Sequence, residues 1–272
     1  MKNRVIIIAV IAVIIIAALI SFGLRKAQKC QLPVQQSSGL SQSGLAAQAK
    51  ALEAKGQLLA AKGAYQELIS NFPGSSEVMN WQKKAEDINI KLLFSPALTP
   101  KSIMYEIKPG DSLVKIAKEF KTTPELIIKS NNISGDKIFP GKKIKVWNGP
   151  LSVVVDKSQN ILMLKSDDEI LKTYTVSTGA NNSTPVGTFK ITNKIQNPTW
   201  FKAGAVVPPE SPDNVLGTRW LGFNIPGYGI HGTTEPQNLG KQVTQGCVRM
   251  ANAEVEELYT ILPVGAEVTI VD

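Results

Sequence analysis

The longest apolar run in the sequence lies at its N-terminus, where Val5 to Leu24 form a 20-residue stretch without a charged side chain. A helix of that length measures about 30 Å, the thickness of the hydrocarbon core of a bilayer. The apolar core of a cleavable signal peptide is usually only about 7–15 residues long, so the length favours a retained anchor. We therefore predict a transmembrane anchor with basic flanks over residues 1–30. An uncleaved signal, or cleavage near Ser21 and Gly23, is the alternative interpretation.

Apolar positions at helical spacing follow the anchor. Residues 31–43 are rich in Gln, Ser and Gly and are predicted to be a flexible linker. Residues 44–101 then carry three stripes of apolar side chains three or four positions apart, which predict an α-helical spacer. The stretch from Tyr65 to Pro73 weakly resembles the end of a tetratricopeptide repeat. It covers little more than one repeat, whereas such arrays usually need about three.

Residues 102–147 change from a strand pattern to a helical pattern and back. Tyr105 to Lys108 and Lys143 to Val146 are short segments typical of strands. Between them, Asp111 is predicted to cap one helix, and Thr123 with Pro124 to open a second. The predicted order is therefore βααβ, a unit too small for an enzyme and well suited to binding.

The remaining residues, 150–272, are dominated by short β-branched or alternating segments separated by Gly, Pro and Asn. One helix is expected near the end, capped by Asn252. The pattern predicts a mostly-β, sandwich- or barrel-like domain with one late helix. A fragment from about Leu151 has the size of a domain and is expected to fold alone. The predicted strands are 151–155, 161–165, 170–178, 187–191, 220–225 and 268–271.

The formal charge of +8 is unevenly distributed along the chain. Residues 1–30 carry +5, residues 31–150 carry +6 and residues 151–272 carry −3. No basic stripe with interleaved aromatic residues is visible on the C-terminal domain, which argues against a nucleic-acid-binding protein. Attraction of the membrane-proximal part to anionic lipid or wall polymers fits the charge distribution better.

The chain has one histidine, His231, which lies 16 residues before Cys247. A lone His or Cys is more often structural than catalytic. Here both are flanked by glycine, and Arg249 supplies a cation close to the thiol. A thiol is only a few per cent ionised at neutral pH, so a neighbouring imidazole that accepts its proton makes it a nucleophile. One His and one nearby Cys are too few for a zinc site, and neither a metal nor a cofactor is expected.

The βααβ unit resembles the LysM family, through the segments Tyr105–Leu113 and Ile138–Ile144. The resemblance implies binding of glycan that contains N-acetylglucosamine. A structural unit that has lost its ligand is the alternative. By the same resemblance, the binding groove lies in two loops and comprises Gly110, Asp111, Ser112, Leu113, Ile138, Phe139 and Pro140.

The C-terminal domain resembles the L,D-transpeptidase (YkuD-like) catalytic family over its full length. The resemblance is carried by Gly179 with Thr184–Phe189, by Ile230–Thr233, by Thr244–Met250 and by Val264–Ile270. It implies that Cys247 is the nucleophile and His231 the general base. It further implies that the Gly232 carbonyl orients the imidazole, that amides around Gly246 and Cys247 form an oxyanion hole, and that Arg249 supports the site or a substrate carboxylate.

The implied reaction joins peptidoglycan stem peptides by 3→3 cross-links outside the cytoplasm, with the anchor oriented N-in and C-out. Its partners are stem peptides, glycan strands and the membrane. Hydrolysis by the same residues and a non-catalytic wall-binding protein remain alternative functions. Cysteine endopeptidases of the NlpC type have Cys before His, and sortases have a much wider gap, so both fit the order here less well.

Overall fold

The computed structural model describes residues 41–202 and 204–272. The predicted anchor Val5–Leu24 and most of the predicted linker lie outside the described residues. Among the residues that are described, no helix is both long enough and apolar enough to cross a membrane. The chain divides into two compact units, with the boundary in the sequence between Gln82 and Lys83.

The first unit contains α1 (Gln42–Ala54), α2 (Leu58–Asn71) and the start of α3 (Val78–Leu93). Ser41 caps α1, because its side chain accepts a hydrogen bond from the Gly44 amide at 3.3 Å. The predicted apolar stripes are buried in both helices, which pack together through Leu45, Ala49, Ala61, Tyr65 and Leu68.

The C-terminal half of α3 belongs to the second unit, so the predicted spacer 44–101 is not one structural piece. Ile90 and Leu93 are buried in the same core as the C-terminal sheet. The side-chain amide of Asn89 donates to the carbonyl of Leu171 at 3.0 Å. A helical pattern reports which face is apolar, but it does not report which partner covers that face.

The βααβ unit comprises β1 (Ser102–Glu106), α4 (Leu113–Glu119), α5 (Pro124–Ser130) and β2 (Lys143–Trp147). The two strands pair antiparallel. The helix cap differs from the prediction: Ser112 caps α4, with its hydroxyl 3.3 Å from the Lys115 amide. Asp111 instead closes the preceding turn, where its carboxylate accepts from the Lys108 amide and the Tyr105 hydroxyl at 2.8 Å each.

The βααβ unit is docked on the C-terminal domain. Leu126 and Trp147 are buried in the core of that domain, and the hydroxyl of Thr123 donates to the carbonyl of Thr260. Lys145 is 1% exposed, and its ammonium donates to the carbonyls of Leu92 and Ser95 at 2.6 and 2.8 Å. A fragment that begins at Leu151 would expose the apolar surface that these residues cover, which argues against its independent folding.

The C-terminal domain is dominated by strands. They are β3 (Ser152–Asp156), β4 (Ile161–Ser166), β5 (Glu169–Thr175), β6 (Thr178–Gly179), β7 (Gly187–Gln196), β8 (Trp200–Lys202), β9 (Ala205–Val207), β10 (Arg219–Phe223), β11 (Gly229–His231), β12 (Gln242–Thr244), β13 (Val248–Arg249) and β14 (Glu267–Val271). Eight of them form a mixed sheet with the order β13-β11-β10-β7-β14-β3-β4-β5. The domain's helix, α6 (Asn252–Ile261), packs on β10 and β11. The prediction of a mostly-β domain with one late helix is confirmed.

Candidate active site

A cavity of about 830 Å³ opens beside the edge of the large sheet. Its lining includes four aromatic side chains, Trp200, Phe201, Trp220 and Tyr228. It also includes the groups capable of chemistry, namely His231, Glu235, Cys247 and Arg249. The structure therefore brings the sequence-predicted thiol, imidazole and guanidinium to one cavity, although they come from two separated segments of the chain.

Two short parallel strands hold the imidazole and the thiol near each other. In the register of β11 and β13, Ile230 is opposite Val248 and His231 is opposite Arg249. Neighbouring strands in a sheet lie about 4.8 Å apart. Cys247 immediately precedes β13, so it is level with Gly229, the first residue of β11, and it lines the same cavity as His231. The Met250 amide donates to the His231 carbonyl at 2.9 Å and extends this pairing.

The His231 ring has a defined orientation. It is 3% exposed, it is stacked on the indole of Trp220 with centroids 6.0 Å apart, and its Nδ1 lies 2.7 Å from the carbonyl oxygen of Gly232. A carbonyl only accepts hydrogen bonds, so Nδ1 carries the proton and Nε2 retains its lone pair. Burial lowers the pKa of His231 to about 4, and the Arg249 charge acts in the same direction, whereas hydrogen bonds to the Gly232 and Leu216 backbone act against it. The ring is therefore neutral at pH 7.

The Cys247 thiol is protonated at rest. Burial raises the pKa of Cys247 above its ordinary value, against the opposing effects of the Gly229 backbone and the Arg249 charge. Its Sγ donates to the Gly227 carbonyl at 3.4 Å. A neutral thiol beside a neutral imidazole is suited to proton transfer during attack, in contrast to a preformed thiolate–imidazolium pair.

The turn that carries the nucleophile is closed by Thr244. Its hydroxyl donates to the Cys247 carbonyl at 2.6 Å and accepts from the Gly246 amide at 3.2 Å. Gly246 has a φ of +129°, and a Cβ there would approach the Tyr228 ring to 2.7 Å. Glycine is therefore required at this position by both conformation and space. Because the Gly246 amide already serves Thr244, the Cys247 amide is the better oxyanion donor of the two.

Arg249 is fixed by backbone and side-chain contacts. Its amide and carbonyl pair with Ser177 at 2.9 and 2.8 Å, and its Nη1 donates to a carboxylate oxygen of Glu235 at 3.0 Å. The Nε atom is buried and has no hydrogen-bond partner among the described residues. The guanidinium thus keeps one buried donor that the described residues do not use.

Asn252 was predicted as a helix cap, and this prediction is wrong. The cap position is Ala251, and Asn252 is the first residue of α6. Its side-chain carbonyl accepts from the amides of Thr218 and Thr233 at 3.2 and 3.0 Å, and its Nδ2 donates to the Thr233 carbonyl at 2.9 Å. A Cβ on Gly232 would lie 2.1 Å from the same Oδ1. Asn252 therefore holds the segment that follows His231.

Sequence reasoning also missed Glu235 and Trp220 as neighbours of the site. No local motif marks them, since both act through partners that are distant in sequence. Asn252 lies two residues after the segment Cys247–Met250. This closeness in sequence to the nucleophile could have marked it as a neighbour of the site.

The predicted glycan loops adjoin each other at one end of the βααβ unit. The Ile107 amide donates to the Lys142 carbonyl at 2.9 Å, and the Gly141 amide donates to the Ile107 carbonyl at 2.8 Å. Leu113 is buried in the core of the unit. The other predicted groove residues reach the surface to different degrees: Gly110, Ser112, Phe139 and Pro140 are exposed, and Asp111 and Ile138 are half-buried.

No group of three or more His, Cys, Asp or Glu side chains is placed to hold a metal ion within residues 41–202 and 204–272.

Comparison with known proteins identifies both domains. The YkuD family, described as the L,D-transpeptidase catalytic domain, matches residues 150–270, and the LysM domain family matches residues 105–147. A putative L,D-transpeptidase YkuD of Bacillus licheniformis is 33% identical over 176 residues, which cover 62% of this chain and 98% of the relative. The chain belongs to the L,D-transpeptidase family.

Other similar proteins carry the same family name. A putative L,D-transpeptidase YqjB of Bacillus subtilis is 42% identical over 126 residues, covering 44% of this chain and 70% of the relative. A solved L,D-transpeptidase from Mycobacterium smegmatis is 20% identical, with a TM-score of 0.38 over 48% of this chain and 64% of that one. The two matched families associate this L,D-transpeptidase with peptidoglycan in the cell envelope.

Proposed function

We propose that this L,D-transpeptidase forms 3→3 cross-links between peptidoglycan stem peptides through a thioester on Cys247. Residues 150–272 are the catalytic domain in this proposal, and residues 102–147 bind the glycan strand. The observation that carries the proposal is the oriented His231 imidazole, which lines the same cavity as the Cys247 thiol.

In the acylation step, the Cys247 sulfur attacks the carbonyl of the third residue of a tetrapeptide stem while its proton passes to Nε2 of His231. The tetrahedral intermediate collapses, the peptide C–N bond breaks, and terminal D-Ala leaves as an amine that takes the proton from the imidazolium. The Cys247 amide donates to the oxyanion, and the Gly232 carbonyl holds the ring and stabilises its charged form.

In the second step, a side-chain amine of a neighbouring stem attacks the thioester and returns the sulfur to the enzyme as a thiol. His231 accepts the proton from the attacking amine and passes it to the departing sulfur. Water in place of the amine would give hydrolysis. In this proposal the aromatic side chains that line the cavity favour transfer, because they reduce the space for water at the thioester.

Incubation of the chain with purified tetrapeptide muropeptides, followed by mass spectrometry, tests the proposal. We expect dimers that have lost one D-Ala, together with free D-Ala. Tripeptides and D-Ala without dimers would assign hydrolysis instead. Intact tetrapeptides after prolonged incubation would contradict both reactions.

We also propose that Val5–Leu24 retain the protein in the membrane with the folded domains on the outside. The length and apolar composition of the segment support this. Membranes washed with alkaline carbonate should keep the full chain and lose a variant without residues 1–30. Equal extraction of both proteins would contradict the anchor.

A further inference from the structure

A second cavity, of about 670 Å³, lies between the LysM domain and the catalytic domain. The LysM domain contributes α4, α5 and the turn between them. The catalytic domain contributes Lys194 of β7, Tyr259 of α6 and the turn over residues 263–267. Its volume is within the ordinary range of small-molecule sites, and neither proposed active-site group lines it.

Two polar side chains at this cavity each have a buried atom without a hydrogen-bond partner among the described residues, and Lys194 forms a long ion pair with one of them. The Thr122 side chain is 4% exposed, and its hydroxyl has no partner within the described part of the chain. The same holds for the buried Oε2 of Glu125. The ammonium of Lys194 is 4.0 Å from that oxygen, which is too long for a hydrogen bond, and it lies over the Tyr259 ring. Buried polar groups without partners are rare.

The three groups define the chemistry of a ligand. Glu125 requires a donor, Lys194 offers donors, and the Thr122 hydroxyl serves in either role. An anion would meet the Glu125 carboxylate and a cation would meet the Lys194 ammonium. A neutral molecule with several hydroxyl or amide groups satisfies all three groups without an unpaired charge.

The rim of the cavity suits the apolar face of a sugar ring. Val114 is 67% exposed on the LysM side, and Val264 is 60% exposed on the catalytic side. Val114 directly follows Leu113, the last residue of the first predicted glycan loop. The first predicted glycan loop therefore leads directly into the lining of this cavity.

We propose that this interdomain cavity is a second glycan subsite, which takes a neutral sugar of the strand held by the LysM loops. This inference rests on the proposed function, because its ligand is the glycan strand that the LysM loops are proposed to bind. Its geometric consequence follows from β7: side chains alternate along a strand, so Lys194 faces this cavity while its neighbour Ile195 faces the active-site cavity. A glycan strand bound in this cavity is therefore anchored beside the catalytic sheet, on the face of β7 opposite the active-site cavity.

Isothermal titration of the full-length chain in detergent with N-acetylglucosamine oligomers of three and six sugars tests the proposal. The wild type should bind the hexamer roughly tenfold more tightly than the trimer, because the longer oligomer gains polar contacts in the cavity. The double variant Thr122→Val/Glu125→Gln should bind the trimer as the wild type does and lose the gain for the hexamer. Phe139→Ala should weaken both oligomers.

Two further variants control this result. Glu119→Gln removes the same charge from an exposed position outside the cavity and should keep the hexamer gain. Val264→Trp narrows the opening of the cavity without removing a polar group and should lose the tighter binding of the hexamer. A folded double variant, or the Val264→Trp variant, that binds the hexamer as tightly as the wild type would overturn the subsite. The wild-type cross-linking assay reports on the proposed function independently, since dimers form there whether or not the hexamer gain exists.

Discussion

The loops of the LysM domain and the thiol site of the catalytic domain are held together by contacts of very different reach. In the LysM domain, Asp111 bonds to Tyr105 and Lys108, six and three residues earlier in the chain. In the catalytic domain, Asn252 bonds to Thr218 and Thr233 across 34 and 19 residues. The Asp111 turn of the first glycan loop is therefore closed within its own short segment, whereas the segment after His231 is held by contacts that need the completed sheet.

The two regions also differ in their exposure to water. Phe139 is 63% exposed at the glycan loops, and His231 is 3% exposed at the thiol site. An exposed aromatic residue contributes contact area to a ligand. A buried imidazole has a perturbed pKa, which sets when it can accept a proton. Substitutions should therefore separate binding from chemistry.

The largest effect is expected for Cys247→Ser. The serine hydroxyl has a far higher pKa than the thiol, and His231 is a weak base because burial lowers its pKa to about 4. Acylation should therefore fall below detection. Intact-mass spectrometry with a carbapenem, which the family resemblance implies as an acylating reagent, measures adduct formation. Phe139→Ala should form the adduct at the wild-type rate while it loses binding to sacculi. Adduct formation by the serine variant at the wild-type rate would remove Cys247 as the nucleophile.

Arg249→Lys should reduce the acylation rate by roughly 100-fold. An ammonium cannot keep the Glu235 contact and also present a second donor at the position of Nε. Single-turnover kinetics with the carbapenem measure the rate. Glu235→Gln keeps a hydrogen-bond acceptor for Arg249 and should cost less. Equal rates for wild type and Arg249→Lys would restrict Arg249 to a role in packing.

Asn252→Ala should destabilise the fold by about 2 kcal/mol, because two backbone amides and one carbonyl lose their partner. It should also slow acylation by roughly tenfold, since the segment after His231 loosens. Asn252→Asp keeps the acceptor at the N-terminus of α6 and should retain most of the stability and most of the acylation rate. Urea denaturation and adduct kinetics test the pair of variants. A wild-type rate in the alanine variant would show that Asn252 serves stability alone.

The pH dependence should place the acid limb of carbapenem acylation by the free enzyme near pH 4, where His231 becomes protonated. An ordinary histidine would place it near pH 6.5.

The burial of His231 also affects the stability of the fold. The unfolded chain takes up a proton near pH 6.5 and the native chain only near 4, so the free energy of unfolding falls as the pH drops through this window. The loss approaches about 3 kcal/mol.

Urea denaturation between pH 7 and 4 measures this contribution when wild type and His231→Asn are compared. The slope attributable to His231 should be absent from the variant. An acid limb near 6.5 together with equal slopes in both proteins would show that the imidazole is not buried in solution.

Local features of this chain could be predicted from its sequence. The βααβ order, the mostly-β domain and the proximity of His231 to Cys247 follow from apolar periodicity and from short motifs. Features that depend on a distant partner could not. The two-residue strand β13 has no periodicity of its own and exists because β11 lies beside it. Asn252 has the chemistry of a helix cap, but the amides that it satisfies lie in another segment.

The burial of Lys145 limits how the LysM domain could be exchanged between proteins during evolution. Burial lowers the pKa of Lys145 to about 8, and two carbonyls at the end of α3 compensate for the loss of water. Transfer of the LysM segment to another host protein would leave that ammonium in an apolar seam without acceptors. The end of α3 and the LysM domain are therefore expected to be inherited together, as one unit of descent.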